Sequence, residues 1–392
     1  MAALFLPAVG SRVVEDRSDV VIVGGGIVGC SIALELSLRK RFPDIFLLER
    51  GPYLGDGTST RNSYVIHAGF HYPEDSLKAK FCVAGNREHY RFCGQYRIPF
   101  LKTGKLTVAL RDAEVPVLDR LLRQGVGNGV EGLRILDRAE LKLREPEIEA
   151  VAALHSPTTG VFDVAQWFRV VEGLLYANGV QVLKKTPVTG LEPEGDGVRV
   201  TTASRGSLGA RLLVNAAGLF ADQLGNLLGN RFRIHPIRGD YFVIGGKKAA
   251  RVNSAVYPTP GALGLGIHLT RLWDGTLLVG PDARRVESKE DYRPLPVWGP
   301  DGEVDENAED LRRFFSEVKE YFPLVEGSDL KPAHCGIRPS LLAPGEKGFR
   351  DFRIQRDPSY PQAIHLIGID SPGLTAAPAI ARYVADLLEE SR

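Results

Sequence analysis

Residues 20–29, Val-Val-Ile-Val-Gly-Gly-Gly-Ile-Val-Gly, decide how this chain is read. The run 20–23 is unbroken and apolar, the pattern of a parallel strand buried on both faces. Gly24, Gly26 and Gly29 follow in G-x-G-x-x-G spacing, and 27–38 continues as an apolar-rich helix. Strand, glycine turn and helix in that order are the context a dinucleotide fingerprint requires. The first glycine permits the tight turn, the second lets a pyrophosphate approach the backbone, and the third lets helix pack on strand. The first turn of the helix, with Ile27 and Val28, offers amide N–H groups to the anion. A second apolar run, 45–48, ends at Glu49, 25 positions after Gly24. A carboxylate there accepts hydrogen bonds from a ribose diol and repels a 2′-phosphate, which argues against NADP. Arg50, next to it, is grouped with the same pocket.

Moving outward, 55–72 reads GDGTSTRNSYVIHAGFHY. It is dense in small and polar residues and makes a poor core helix. Thr58, Ser59, Thr60, Asn62 and Ser63 can hydrogen-bond a cofactor, while Ala68 and Gly69 leave room for its ring. A nicotinamide enzyme has little need of such a loop. A flavin enzyme needs one, because FAD must run from the glycine turn to the reaction centre. His67, between Ile66 and Ala68, reads either as a core histidine bonded to backbone or as an acid–base group near neutral pH.

At 392 residues the chain exceeds one average domain. Its 44% hydrophobic and 25% charged residues are those of an ordinary soluble protein. A net charge of +1 gives no reason to invoke nucleic acid or an anionic membrane. Cys30, Cys82, Cys93 and Cys335 show no CxxC or zinc spacing, so no metal is expected and a reducing, cytoplasmic setting suits them. Residues 1–18 read as a mobile tail or an added edge strand, and no stretch is long and apolar enough to span a membrane. Peripheral membrane association stays open.

NSYVIHAGFHY, followed by SLKAKFCVAGN and TGKLTVA, resembles the L-2-hydroxyglutarate dehydrogenase group of the D-amino-acid-oxidase-like FAD enzymes. The likeness continues through PIRGDYF, YPTP, GLGIHLT and DGTLLVGPDA. Two positions depart from the group: Arg61 stands where a histidine is usual, and 369–375 reads IDSPGLT. The resemblance implies a discontinuous Rossmann-like FAD-binding domain over 19–90, 155–231 and 331–392. It also implies an α+β substrate domain with a mainly antiparallel sheet over 91–154 and 232–330.

The rest of the chain is read in that frame. Residues 112–148 alternate charged and apolar positions at helical spacing and read as surface helices. Residues 155–179 read as a turn feeding an amphipathic helix capped by Asp163. Strands are expected at 180–183, 186–191, 198–202, 210–214, 240–244, 276–279 and 363–367. A surface loop is expected over 286–307, and helices over 311–322 and 375–389. The resemblance implies that Val188 gives a backbone contact to adenine and that Ala216, Ala217 and Gly218 form a turn beside the pyrophosphate. It implies that Arg338, in Gly336-Ile337-Arg338-Pro339, reaches the substrate carboxylate or the flavin edge. Asp370, Ser371, Pro372, Gly373, Leu374 and Thr375 then lead into a helix whose N-terminus faces the flavin.

The function expected is oxidation of a small carboxylate substrate, an L-2-hydroxy acid, with FAD as cofactor. His67 or His268 is the base, and Arg338 with Tyr241 and Tyr257 holds the substrate. The electron acceptor is oxygen, a quinone or a carrier protein. An amino-acid oxidase on the same fold is the alternative, and a non-catalytic flavoprotein subunit a remoter one.

Overall fold

A computed structural model describes residues 17–260, 266–293, 295 and 308–390. The expected tail lies outside the described residues up to position 16, as does most of the expected loop 286–307; its described part, 286–293, has no regular structure.

Two large sheets organise the chain. The first has eight strands among the described residues. Its centre is the Ser18–Val23 strand, flanked in parallel by Ile45–Leu48 and Gly206–Asn215. Gln181–Leu183 and Ala363–Ile367 extend the parallel set on either side. Val20, Val21, Ile22 and Leu47 are fully buried, as strands covered on both faces must be. An antiparallel ribbon of Val188–Glu194 and Gly197–Thr202 hangs from the Gly206–Asn215 strand. The helices Ile27–Arg39, Val164–Ala177 and Gly373–Glu389 pack on this sheet around a core that includes Leu36, Trp167 and Ile380. Asp163 caps its helix as expected, accepting a hydrogen bond from Gln166 N–H at 2.8 Å.

The second sheet has nine strands among the described residues and is antiparallel except where Ala255–Pro258 runs parallel to Lys105–Ala109. Its long member is His235–Ile244, paired with Leu277–Val279 and Lys331–Ser340. The expected strands at 240–244 and 276–279 are therefore present. Three expectations need correction. Residues 112–148 are not helical throughout: Arg134–Asp137 is a strand, paired with Ala152–Ser156. The turn expected from 155 holds the end of that strand and another, Gly160–Phe162, which joins Val65–Ile66 and Phe100–Leu101 in a small third sheet. Finally, Lys331–Ser340 belongs to the second sheet, so the chain re-enters the first one at Arg353–Arg356 and not at 331. In each case the strand is fixed by a distant partner, which local spacing does not reveal.

Candidate cofactor and substrate cleft

The glycine turn is built as its spacing predicts, with a division of labour among its glycines. Gly24 has φ +114°, a left-handed conformation that a side chain would strain. A Cβ there would also stand 2.3 Å from the Ala216 carbonyl oxygen. A Cβ on Gly29 would meet the Gly24 carbonyl oxygen at 1.9 Å. Both positions are closed by protein backbone. Gly26 differs: a Cβ there would have only Ser59 Oγ, at 3.1 Å, within 4 Å. Its other side opens into a cleft. This is the cradle that a pyrophosphate needs, and it is the test by which the chain fits a dinucleotide.

The cleft opens to solvent and holds about 1250 Å³ of space counted out through its mouth. One end is Gly26, Ile27 and Val28 with Ala216 and Gly218. The floor is Thr58, Ser59, Asn62 and Ser63. The far end gathers His67, Tyr241, Tyr257, His268 and Arg338, and the loop Asp370, Ser371, Pro372, Gly373 and Leu374 closes one side. Residues from both large sheets thus meet in one space.

The polar floor is engaged mainly with its own chain. Ser59 Oγ accepts from Ile27 N–H at 3.0 Å, holding the loop to the helix N-terminus. Thr58 donates to the Ile337 carbonyl at 2.8 Å, and Asn62 donates to the carbonyls of Thr58 and Ser59. Ser63 Oγ lies 3.2 Å from the Tyr241 hydroxyl. These side chains shape the loop, and what they leave to a ligand is largely backbone and the free lone pairs of hydroxyls.

Besides Gly24 and Gly29, the expected Glu49, Arg50, Val188, Ala217 and Thr375 lie off the cleft wall or turn from it. Glu49 accepts from Gly25 N–H at 2.8 Å and from Gly51 N–H at 2.6 Å, which leaves each carboxylate oxygen a further lone pair for a ribose hydroxyl. Its own backbone bonds Leu183 and Thr186, which brings Val188 to the same end. Arg50 stacks on Phe220 at 3.9 Å and pairs with Glu290 at 2.7 Å. Ala217 packs against the core of the first sheet. Thr375 is fully buried and turns its hydroxyl to the Val65 carbonyl, also accepting from His67 N–H at 3.0 Å. It fixes the base candidate's backbone rather than facing the cleft.

At the far end, Arg338 donates to the Asp282 carbonyl at 2.7 Å and has no carboxylate within 4.0 Å among the described residues. The Asp282 carboxylate itself is taken by Arg284 and Arg313. His67 is pushed down to about 3 by burial and then by the nearby Lys105 charge, so its ring is neutral at pH 7. His268 stacks face to face on Tyr257, with centroids 3.6 Å apart. Burial pushes the hydroxyls of Tyr241 and Tyr257 up, keeping both protonated as hydrogen-bond donors. Burial also raises the Asp370 carboxyl, which Lys78 meets at 2.6 Å.

Sequence reasoning missed several residues here. Lys78, in the SLKAK run, forms an ion pair with the expected Asp370 of the closing loop. His71 and Lys105 form a buried pair just behind the wall. The lysine stands in TGKLTVA, where a charge opening an apolar run was the one available signal. Among the described residues no group of His, Cys, Asp and Glu is arranged to hold a metal, the four cysteines are free and buried, and no helix is long and apolar enough to cross a membrane.

Comparison with known proteins gives the same outline. The family model described as FAD dependent oxidoreductase (DAO) matches residues 19–387. The mitochondrial L-2-hydroxyglutarate dehydrogenase of Arabidopsis thaliana is 34% identical over 95% of this chain and 84% of its own. The human mitochondrial enzyme of the same name is 30% identical over 97% and 90%. Among solved structures, dithionite-reduced L-alpha-glycerophosphate oxidase from Mycoplasma pneumoniae, with FAD bound, aligns with a TM-score of 0.83 at 29% identity. It covers 96% of this chain and 95% of that one. Glycine oxidase from Geobacillus kaustophilus, at 20% identity and a TM-score of 0.79, shares the fold.

Proposed function

The chain belongs to the DAO family of FAD-dependent oxidoreductases, and on that premise we propose that it oxidises an L-2-hydroxy acid, L-2-hydroxyglutarate, to the 2-oxo acid. The observation that carries this reading is Arg338. It reaches a cleft shared with two tyrosines and two histidines, and it has no carboxylate of its own.

The first sheet and its helices hold FAD. Gly26, Ile27 and Val28 take the pyrophosphate, Glu49 the ribose, and the 370–374 loop the flavin end. The second sheet forms the substrate wall. When bound, FAD supplies the acceptor for the hydride that leaves C2 of the substrate.

The protein's part is position and proton handling. Arg338 offers a planar fork to the C1 carboxylate, which sets the distance and angle of the reacting carbon. Tyr241 donates a hydrogen bond toward the same group. His67, neutral and held by Thr375 and by Asn86 at its carbonyl, takes the hydroxyl proton. Its low basicity suffices because the hydroxyl becomes strongly acidic as the C–H bond breaks. His268 and Tyr257 close the wall and exclude water.

No second strand-linked G-x-G-x-x-G occurs, so electrons pass to oxygen, a quinone or a carrier protein. Four buried free thiols suit a cytoplasmic setting. Anaerobic addition of L-2-hydroxyglutarate to the FAD-loaded protein tests the reading. The flavin absorbance should bleach with the L-isomer, and L-glutamate should leave it unchanged. Bleaching by L-glutamate and not by the hydroxy acid would replace C–O with C–N oxidation.

A further inference from the structure

The Lys105–Ala109 strand is buried along its whole length, yet it opens on a lysine that is 1% exposed. The Lys105 ammonium lies 2.7 Å from His71 Nε2, 4.0 Å from the Tyr257 ring centroid and 4.9 Å from that of Phe70. The groups around it are His67 and His71 on the adjoining loop, Cys82 on the Leu77–Tyr96 helix, and across the sheet Tyr257 with His268 stacked on it. On the other flank the neighbouring strand carries His155, with Arg144 beside it. None is an acid. Burial pushes Lys105 down to about 7. An imidazole lone pair and two aromatic faces offset part of the cost of burying the charge, but among the described residues no counter-ion does.

Tyr257, whose ring this ammonium faces at 4.0 Å, is itself part of the cleft wall. Among the described residues the far end is therefore flanked by two cations without acid partners, Arg338 in the wall and Lys105 against the Tyr257 ring. We propose that Lys105 is the specificity-determining cation of the site, supplying the charge that selects a substrate with a second carboxylate over a monocarboxylate. The inference rests on the L-2-hydroxyglutarate reading and assigns the residue that senses its second carboxylate. A dianion compensates both cations, whereas a monoanion leaves the buried one unmatched. The same match acts on the base. Lys105 is one cause of the low basicity of His67, so a second carboxylate that offsets this charge makes His67 a better proton acceptor.

The test titrates the FAD-loaded protein with glutarate and with butyrate, which carry no hydroxyl to oxidise, and reads binding from the flavin absorption band. Below neutrality glutarate should bind about tenfold tighter than butyrate, and the preference should decline as pH rises through about 7 and Lys105 loses its proton. Lys105→Arg should keep the preference and remove its decline, because guanidinium does not titrate there. Lys105→Gln should abolish the preference at every pH with FAD content unchanged. A Lys105→Gln protein that keeps both the preference and its pH dependence overturns the inference. So does a parent protein whose preference is absent, or flat from about pH 6 to about pH 9, a readout that needs no variant. Failure of the parent to be bleached by L-2-hydroxyglutarate is a separate result, and counts against the reaction rather than against Lys105.

Discussion

The two ends of the cleft are made in different ways. At the glycine turn, one contiguous strand–turn–helix–strand unit supplies nearly everything, and the working groups are backbone amides and the absence of a side chain at Gly26. At the far end, single side chains arrive from distant segments: His67 from a loop, Tyr241, Tyr257 and Arg338 from three strands, and Asp370 from another loop. The near end depends on close approach, and at Gly24 and Gly29 its own backbone leaves no room for added atoms. The far end depends on charge and angle, and tolerates substitution without collapse. Each variant below tests that contrast.

The largest effect is expected at Gly29. Its Cβ would overlap the Gly24 carbonyl oxygen at 1.9 Å, so Gly29→Val should cost more than about 4 kcal/mol and yield no folded holoprotein. Gly26→Val, three residues earlier, should fold with near-parent apoprotein stability and yet lose FAD affinity by about a hundredfold or more. Urea unfolding and FAD titration of the pair check this. Equal behaviour of the two variants would break the division of labour among the glycines.

Next comes Arg338. Arg338→Lys keeps the charge and loses the fork, so kcat/KM should fall about tenfold to a thousandfold, or about 1.4 to 4 kcal/mol, with thermal stability and FAD content unchanged. Steady-state kinetics beside a melting curve reads both. A drop in stability matching the drop in activity would make Arg338 a structural residue like the glycines.

A smaller, pH-dependent effect is expected from His89. Its ring is fully buried, Nε2 lies 2.9 Å from the Leu374 carbonyl, and burial pushes it down to about 4. The unfolded chain binds a proton near its ordinary value of about 6.5 that the folded chain refuses. Stability contributed by the neutral ring is therefore complete above about 6.5 and is lost as pH falls toward about 4. The slope is about 1.4 kcal/mol per pH unit from this one group. His89→Gln should flatten the acid limb by one proton in unfolding measured across that window. An unchanged limb would place the acid sensitivity elsewhere.

The smallest effect is expected at Glu49. Glu49→Gln removes one of the two oxygens that accept the Gly25 and Gly51 amides, which should cost about 1 kcal/mol and weaken FAD binding several-fold. FAD fluorescence titration measures it, and an unchanged dissociation constant would leave Glu49 as a turn residue alone.

The same contrast explains what was legible in the sequence. The near end lies within 20–49, where local spacing and the expected Ile45–Leu48 strand suffice. At the far end, the residue types carrying charge and hydroxyls could be picked out, but their meeting required the second sheet. The Arg134–Asp137 and Gly160–Phe162 strands were missed because they are short and exist through long-range pairing. Lys105 was missed because a lysine at the start of an apolar run reads as a solvated end. Only the packed sheets show that Lys105 is covered on every side. Thr375 was taken for a cofactor contact because helix N-termini in such folds face ligands, whereas its hydroxyl instead pins the Val65–His67 backbone.

The Lys331–Ser340 strand carries one further consequence. It is a member of the second sheet, yet Thr58 of the cofactor loop bonds its Ile337 carbonyl, and a Cβ on its Gly336 would meet the Arg61 carbonyl oxygen at 1.9 Å. Arg338 is the next residue along. The proposed anchor for the substrate and the floor of the cleft are thus riveted at adjacent peptide units, with no slack between them. Any influence of occupancy at one place on the other must, by thermodynamic reciprocity, run equally in both directions. Whatever factor a bound carboxylate adds to the retention of FAD, bound FAD adds to the retention of the carboxylate. The two seats share one short run of backbone, and neither can be reshaped without the other feeling it.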